Sequence, residues 1–144
     1  MQEMRCLLDT SILIEAEKKQ FDLAEWVLAK RATIWLCDTT ITEFLVGRPC
    51  KDSRRQSNFD EFFTKTVARY ARLPVTGEDF IAAGQALNAA RCRGWTLPLG
   101  DGLHAAVAKA YHLTVLTKDS EHFKQLGANP INPLLEHPPR HAPA

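Results

Sequence analysis

Apolar and polar positions fall in short blocks along this chain, and the blocks change period. Met4 to Leu8 is an apolar run broken only by Arg5 and stopped abruptly by Asp9, the pattern of a buried strand. From Thr10 to Lys19, Ile12, Leu13 and Ala16 recur at helical spacing and leave Glu15, Glu17, Lys18 and Lys19 for solvent. Asp22 to Arg31 repeats the pattern, with Leu23, Trp26, Val27 and Lys30 on one face. Thr33 to Cys37, β-branched and aromatic, predicts a second strand ending at Asp38. Helix is expected over Ile41 to Val46, until Gly47-Arg48-Pro49, and over Asn58 to Tyr70 with Phe59, Phe62, Phe63, Val67 and Tyr70 as its apolar face. A short strand at Leu73 to Val75 precedes a helix opened by Thr76-Gly77-Glu78-Asp79 and running to Gly94. Leu97 to Asp101 reads as a loop into a helix that carries Leu103, Val107 and Ala110. Leu113 to Leu116 predicts another strand, and Ser120 to Leu126 a short helix.

Strands alternating with helices predict an α/β three-layer sandwich with a mostly parallel sheet, here as one domain over residues 1–132. The last 15 residues hold five of the eight prolines, together with His137 and His141, so residues 133–144 are expected to form a Pro-rich flexible tail.

The chain has 144 residues, 45% of them hydrophobic and 24% charged, enough for a single core and too apolar for wholesale disorder. Eighteen basic against 17 acidic residues give a net charge of +1, which argues against nucleic-acid binding by bulk charge. A local patch remains open, because Arg48 to Arg72 carries seven basic against three acidic residues, a net +4. No run approaches the ~20 apolar residues of a membrane helix, and Met1 to Arg5 has no signal-peptide pattern. Cys6, Cys37, Cys50 and Cys92 are widely spaced, without zinc-ligand spacing, and a reducing cytoplasmic location is expected.

Four carboxylates stand at equivalent junctions. Asp9 closes the first strand, Glu43 lies early in the helix after the second, Asp101 precedes a helix, and Asp119 follows the strand Leu113 to Leu116. Taken singly, each suits a cap: Asp9, Asp101 and Asp119 as N-caps, and Thr40-Ile41-Thr42-Glu43 as a capping box. Taken together, parallel strands bring them to one sheet edge, where like charges need a cation. Hard oxygen donors without His or thiolate select Mg²⁺ or Mn²⁺ over Zn²⁺. The chemistry that follows is phosphodiester hydrolysis or phosphoryl transfer. Neither G-x-x-x-x-G-K-[ST] nor G-x-G-x-x-G occurs. An aspartyl-phosphate enzyme fits less well, because Ser11 stands where that family has its second Asp.

Four segments in order resemble the motifs of PIN-domain ribonucleases: Leu7-Leu8-Asp9-Thr10-Ser11-Ile12, Thr42-Glu43-Phe44-Leu45-Val46-Gly47, Asp101-Gly102-Leu103-His104-Ala105-Ala106 and Leu116-Thr117-Lys118-Asp119-Ser120-Glu121. In size the chain is most similar to the VapC-like toxins of type II toxin–antitoxin systems. The resemblance implies a parallel five-stranded sheet, Mg²⁺- or Mn²⁺-dependent endonuclease cleavage of RNA, a homodimer, and a VapB-like antitoxin that blocks the site. By matching position it implies an acidic metal site of Asp9, Glu43, Asp101 and Asp119, supported by Ser11 and Thr117. Arg48 and Lys118, beside motif residues, are expected to contact RNA phosphate. His104, a departure from the third motif, is expected to line the RNA groove or to lie exposed, and His122 to pack or cap. Phe59, Phe62, Phe63 and Tyr70 are expected in the core or at a dimer or antitoxin face. The alternative to an enzyme is a non-catalytic PIN-like interaction or RNA-binding module.

Overall fold

The computed structural model describes residues 3–136. Five strands form one sheet in the order β3-β2-β1-β4-β5, and every pairing is parallel. They are β1 (Met4–Leu8), β2 (Ala32–Cys37), β3 (Ala71–Leu73), β4 (Thr114–Leu116) and β5 (Asn129–Ile131). The helices among the described residues are α1 (Thr10–Glu17), α2 (Leu23–Lys30), α3 (Asp38–Val46), α4 (Ser53–Lys65), α5 (Gly77–Cys92), α6 (Leu99–Ala110) and α7 (Ser120–Gln125). None is long and apolar enough to cross a membrane.

Alternate residues of the central strands feed two cores. Cys6, Leu8, Ile34 and Leu36 pack with α1, α2, Phe44 of α3 and Phe59 of α4. Leu7 and Cys37 face the other way, against Ala105, Val107 and Ala108 of α6 and Phe123 of α7. Two-sided burial explains why these strands read as continuous apolar runs. Phe44 stacks on Phe59 at 4.5 Å between ring centroids, and Phe62 and Phe63 pack against the same cluster, so the aromatic stripe of α4 serves the core.

Several boundaries differ from the sequence expectation, each for a local reason. The Asn58–Tyr70 helix starts earlier, because the Asp52 side chain accepts from the Arg54 and Arg55 amides, and it gives way to a 3₁₀ turn at Val67–Arg69. The third strand lies at Ala71–Leu73, in register with Trp35 to Cys37, rather than at residues 73–75. The pattern gave no sign of β5, which is three residues long and contains Pro130, an imino acid tolerated in an edge strand. Within the segment expected as a tail, Pro133–Leu135 forms a 3₁₀ turn with Pro133 buried, and Glu136 pairs with Lys30 at 2.7 Å. Residues 137–144, including His137 and His141, lie outside the described residues.

Chain order reverses on either side of β1, whose neighbours are β2 and β4. Beyond the C-terminal ends of these three strands lies the crevice at which open parallel sheets bind ligands. Asp9, the start of α3, and Thr117 all lie at these strand ends, Asp9 and Thr117 both buried.

Candidate metal centre

The four carboxylates arrive on different elements, and none serves as a helix cap. Asp9 and Asp119 occupy the N-cap positions of α1 and α7, yet neither side chain caps. The helix containing Glu43 begins at Asp38, which places Thr40 inside it and rules out the expected capping box. Asp101 lies in the first turn of α6 behind Pro98, not ahead of the helix. With capping excluded, their positions need another cause.

Asp9 is buried and fully engaged. Its Oδ2 accepts from Ser11 Oγ and Thr117 Oγ1, each at 2.8 Å, and its Oδ1 accepts from His104 Nδ1 at 2.9 Å. Burial alone would raise this carboxyl, but the His104 contact and the two hydroxyls hold it below the ordinary carboxylate value. Ser11 and Thr117 thus both hydrogen-bond the Asp9 carboxylate. Thr117 also accepts from the Asp119 amide at 2.9 Å, which ties the fourth motif to Asp9.

His104 overturns its expectation. It is 1% exposed, neither lining a groove nor open to solvent, so it presents no ring edge to RNA. Helical geometry puts it three residues after Asp101 and turns it inward between two acids. Its Nε2 lies 3.2 Å from Thr40 Oγ1 and 3.3 Å from Glu43 Oε1. Thr40 in turn donates to the Leu8 carbonyl at 3.5 Å. Burial favours the neutral ring, but the hydrogen bond to Asp9, the neighbouring Cys37 sulfur and the Asp9 charge together outweigh it and push His104 up to about 10. The buried His104 ring thus lies between Asp9 and Glu43, and its surroundings favour the protonated form.

Glu43 Oε1 accepts from Thr10 Oγ1 at 2.6 Å, while Oε2 lies against the first turn of α6 at Gly100. Asp101 Oδ2 accepts from His122 Nδ1 at 2.8 Å, a contact in place of the packing or capping expected of His122. Burial raises the Asp101 carboxyl, and the neighbouring Asp9 charge adds to this against the opposing pull of His122. Ligand atoms of Asp9, Glu43 and His104 fall within 4.8 Å of one another. Asp101 and Asp119 lie outside that group. Asp119 is exposed, and its carboxylate has no partner among the described residues.

The expected phosphate contacts are already paired. Arg48 makes a bidentate bond to Asp60, both contacts at 2.8 Å, and Lys118 Nζ bonds Glu15 at 2.7 Å. Thr10, Thr40 and Gly100 were not singled out from the sequence. Thr10 stands inside the first motif, but no spacing marks it as a partner of a residue 33 positions away.

The group that ligand geometry brings together, Asp9, Glu43 and His104, is two carboxylates and one imidazole. Asp101 spends one oxygen on His122 and Asp119 neither, so the oxygen donors suit a hard divalent cation, while the buried His104 ring is the one donor that departs from an all-oxygen set.

The sequence matches the PIN domain family over residues 6–129. It is similar to the plasmid stability protein StbB of Pseudomonas syringae pv. tomato, 28% identical over 134 residues, which cover 88% of this chain and 96% of that protein. Among solved structures it resembles FitAB bound to an IR36 DNA fragment, with TM-score 0.72, 22% identity, and 89% and 94% of the two chains covered. It also resembles VapBC2 from Rickettsia felis bound to a promoter DNA fragment, with TM-score 0.71, 22% identity and coverage of 90% and 98%. VapBC-5 from Mycobacterium tuberculosis, a member of the VapBC family of toxin–antitoxin systems, gives TM-score 0.67, 23% identity and coverage of 87% and 93%. The structural likenesses speak to the fold.

Proposed function

This chain belongs to the PIN domain family, and from that premise we propose that it is a Mg²⁺- or Mn²⁺-dependent endoribonuclease, the toxin of a toxin–antitoxin pair. The observation that carries the reading is the convergence of Asp9, just after β1, and Glu43 of α3 on one largely buried cluster beside Asp101 of α6, with no capping role for any of them. A plasmid stability protein among its relatives and a toxin–antitoxin member among its structural neighbours favour the toxin role.

Asp9, Glu43, Asp101 and Asp119 would hold the metal. When bound, it supplies an activated water and charge stabilisation for the leaving oxygen of a phosphodiester. The protein's own residues prepare the site. Ser11, Thr117 and His104 keep Asp9 ionised and aimed, Thr10 and His104 hold Glu43, and His122 orients Asp101. Arg48 and Lys118 would contact RNA phosphates by exchanging their surface partners. Exposed pairs are worth only about 0–1 kcal/mol, so the exchange is inexpensive. A VapB-like antitoxin, a homodimer and a cytoplasmic location complete the proposal.

The non-catalytic alternative draws support from His104, which already neutralises part of the acidic cluster. It requires RNA binding that is indifferent to divalent metal. Incubating the purified protein with total cellular RNA, with Mg²⁺ or Mn²⁺ and with EDTA, and mapping the ends, tests both. Discrete cuts that vanish in EDTA and with Asp9→Asn are expected. Metal-independent binding without cuts would favour the interaction module.

A further inference from the structure

We infer that Gly100 is a positioning residue for Glu43, so that the missing side chain at position 100 is a functional requirement. The inference rests on the reading of Glu43 as part of the acidic site. Gly100 is the second residue of α6, and its φ is not in the left-handed region, so the backbone there does not call for glycine. A helix interior favours alanine over glycine. What excludes a side chain is the Glu43 carboxylate: a Cβ built on Gly100 would overlap Oε2, come 3.1 Å from Cδ and lie 3.6 Å from Oε1. Beyond its chain neighbours and its own helix backbone, no other atom of the described residues comes closer to that Cβ than these three.

The collision is with the far end of a flexible side chain, which can swing away. Backbone and core need not move. Glu43 would leave Thr10 Oγ1, 2.6 Å away, and the 3.3 Å approach to His104 Nε2. A methyl group at position 100 thus leaves backbone and core in place and displaces one carboxylate together with its contacts to Thr10 and His104. Gly102 shows the contrast two residues on: a Cβ there meets Leu87 Cδ1 at 2.6 Å and Cγ at 2.7 Å, so that glycine serves packing.

The test compares wild type, Gly100→Ala, Glu43→Asp and Gly100→Ala/Glu43→Asp. Three readouts are taken: melting in EDTA, Mn²⁺ affinity by calorimetry, and metal-dependent RNA cleavage. Gly100→Ala should still fold and melt cooperatively in EDTA, yet bind Mn²⁺ and cleave at least tenfold less well. Because aspartate is one methylene shorter and clears the new methyl, adding Gly100→Ala to Glu43→Asp should cost little further in Mn²⁺ affinity or cleavage. Wild-type Mn²⁺ affinity and cleavage in Gly100→Ala, or equal losses in the two backgrounds, would overturn the inference. If Glu43→Asp itself binds Mn²⁺ and cleaves like wild type, the assignment of Glu43 fails instead.

Discussion

Replacing His104 with leucine removes the cation lodged between Asp9 and Glu43 and leaves a buried carboxylate without its counter-ion. In a site where His104 is 1% exposed, water cannot take over the lost 2.9 Å contact to Asp9 Oδ1. Deleting one partner of a buried pair costs about 3–5 kcal/mol. Ser11 and Thr117 still donate to Asp9 Oδ2, so the expected cost is at the low end, about 3 kcal/mol. For a chain of this size each kcal/mol shifts Tm by roughly 2–4 °C, giving a fall of roughly 6–12 °C. The penalty depends on the Asp9 charge, so His104→Leu should cost about 2 kcal/mol less in an Asp9→Asn background. Urea unfolding of the four proteins in EDTA at pH 6 measures both quantities. The sign of the pH dependence follows from the same contact. His104 is raised from 6.5 to about 10, so its stabilisation is complete below 6.5 and disappears as pH rises towards about 10. Wild type in EDTA should lose stability across that window, and His104→Leu should not. A His104→Leu protein within 1 kcal/mol of wild type, or costs that add without coupling, would refute the counter-ion role.

Three further substitutions separate packing from site chemistry. Gly102→Ala drives a methyl into Leu87 and should destabilise by about 1–3 kcal/mol in urea titration, despite the better helix propensity of alanine. Thr117→Val removes the hydroxyl that donates to Asp9 and accepts from the Asp119 amide, and about 2 kcal/mol of stability should go with it. Asp119→Asn alters an exposed carboxylate without partners among the described residues, so stability should stay within about 0.5 kcal/mol while RNA cleavage falls. A large melting change in Asp119→Asn would reveal a structural partner for that side chain.

Much of the fold was legible because burial leaves a one-dimensional trace. β1 and β2 are covered on both faces and read as apolar runs, and α1 and α2 show one apolar stripe each. β5 left no trace, since three residues with a proline carry no period. The acidic residues stood out because each lies near a strand-to-helix or loop-to-helix junction; the fold brings Asp9 and Glu43 together and leaves Asp119 exposed. What pairs with them could not. His104 and His122 each stand three residues after an aspartate of the site. His104 turns inward to Asp9, between β1 and α1, and His122 turns across to Asp101 rather than to its own neighbour Asp119. The Thr10–Glu43 and Gly100–Glu43 contacts likewise join residues whose proximity arises only when α1, α3 and α6 close over the sheet edge. Arg48 shows the converse: its place beside a motif suggested phosphate, while its guanidinium found Asp60 across the turn into α4.

The central claim, that the buried acidic cluster is a metal site serving RNA cleavage, is tested most directly on paired preparations of wild type and Asp9→Asn. Mn²⁺ is titrated into each by calorimetry, and the same samples are assayed for RNA cleavage. Saturable binding and cleavage in wild type, both lost in an Asp9→Asn protein that still melts cooperatively, are the expected result. Equal Mn²⁺ binding and equal cleavage by the folded variant would contradict the claim.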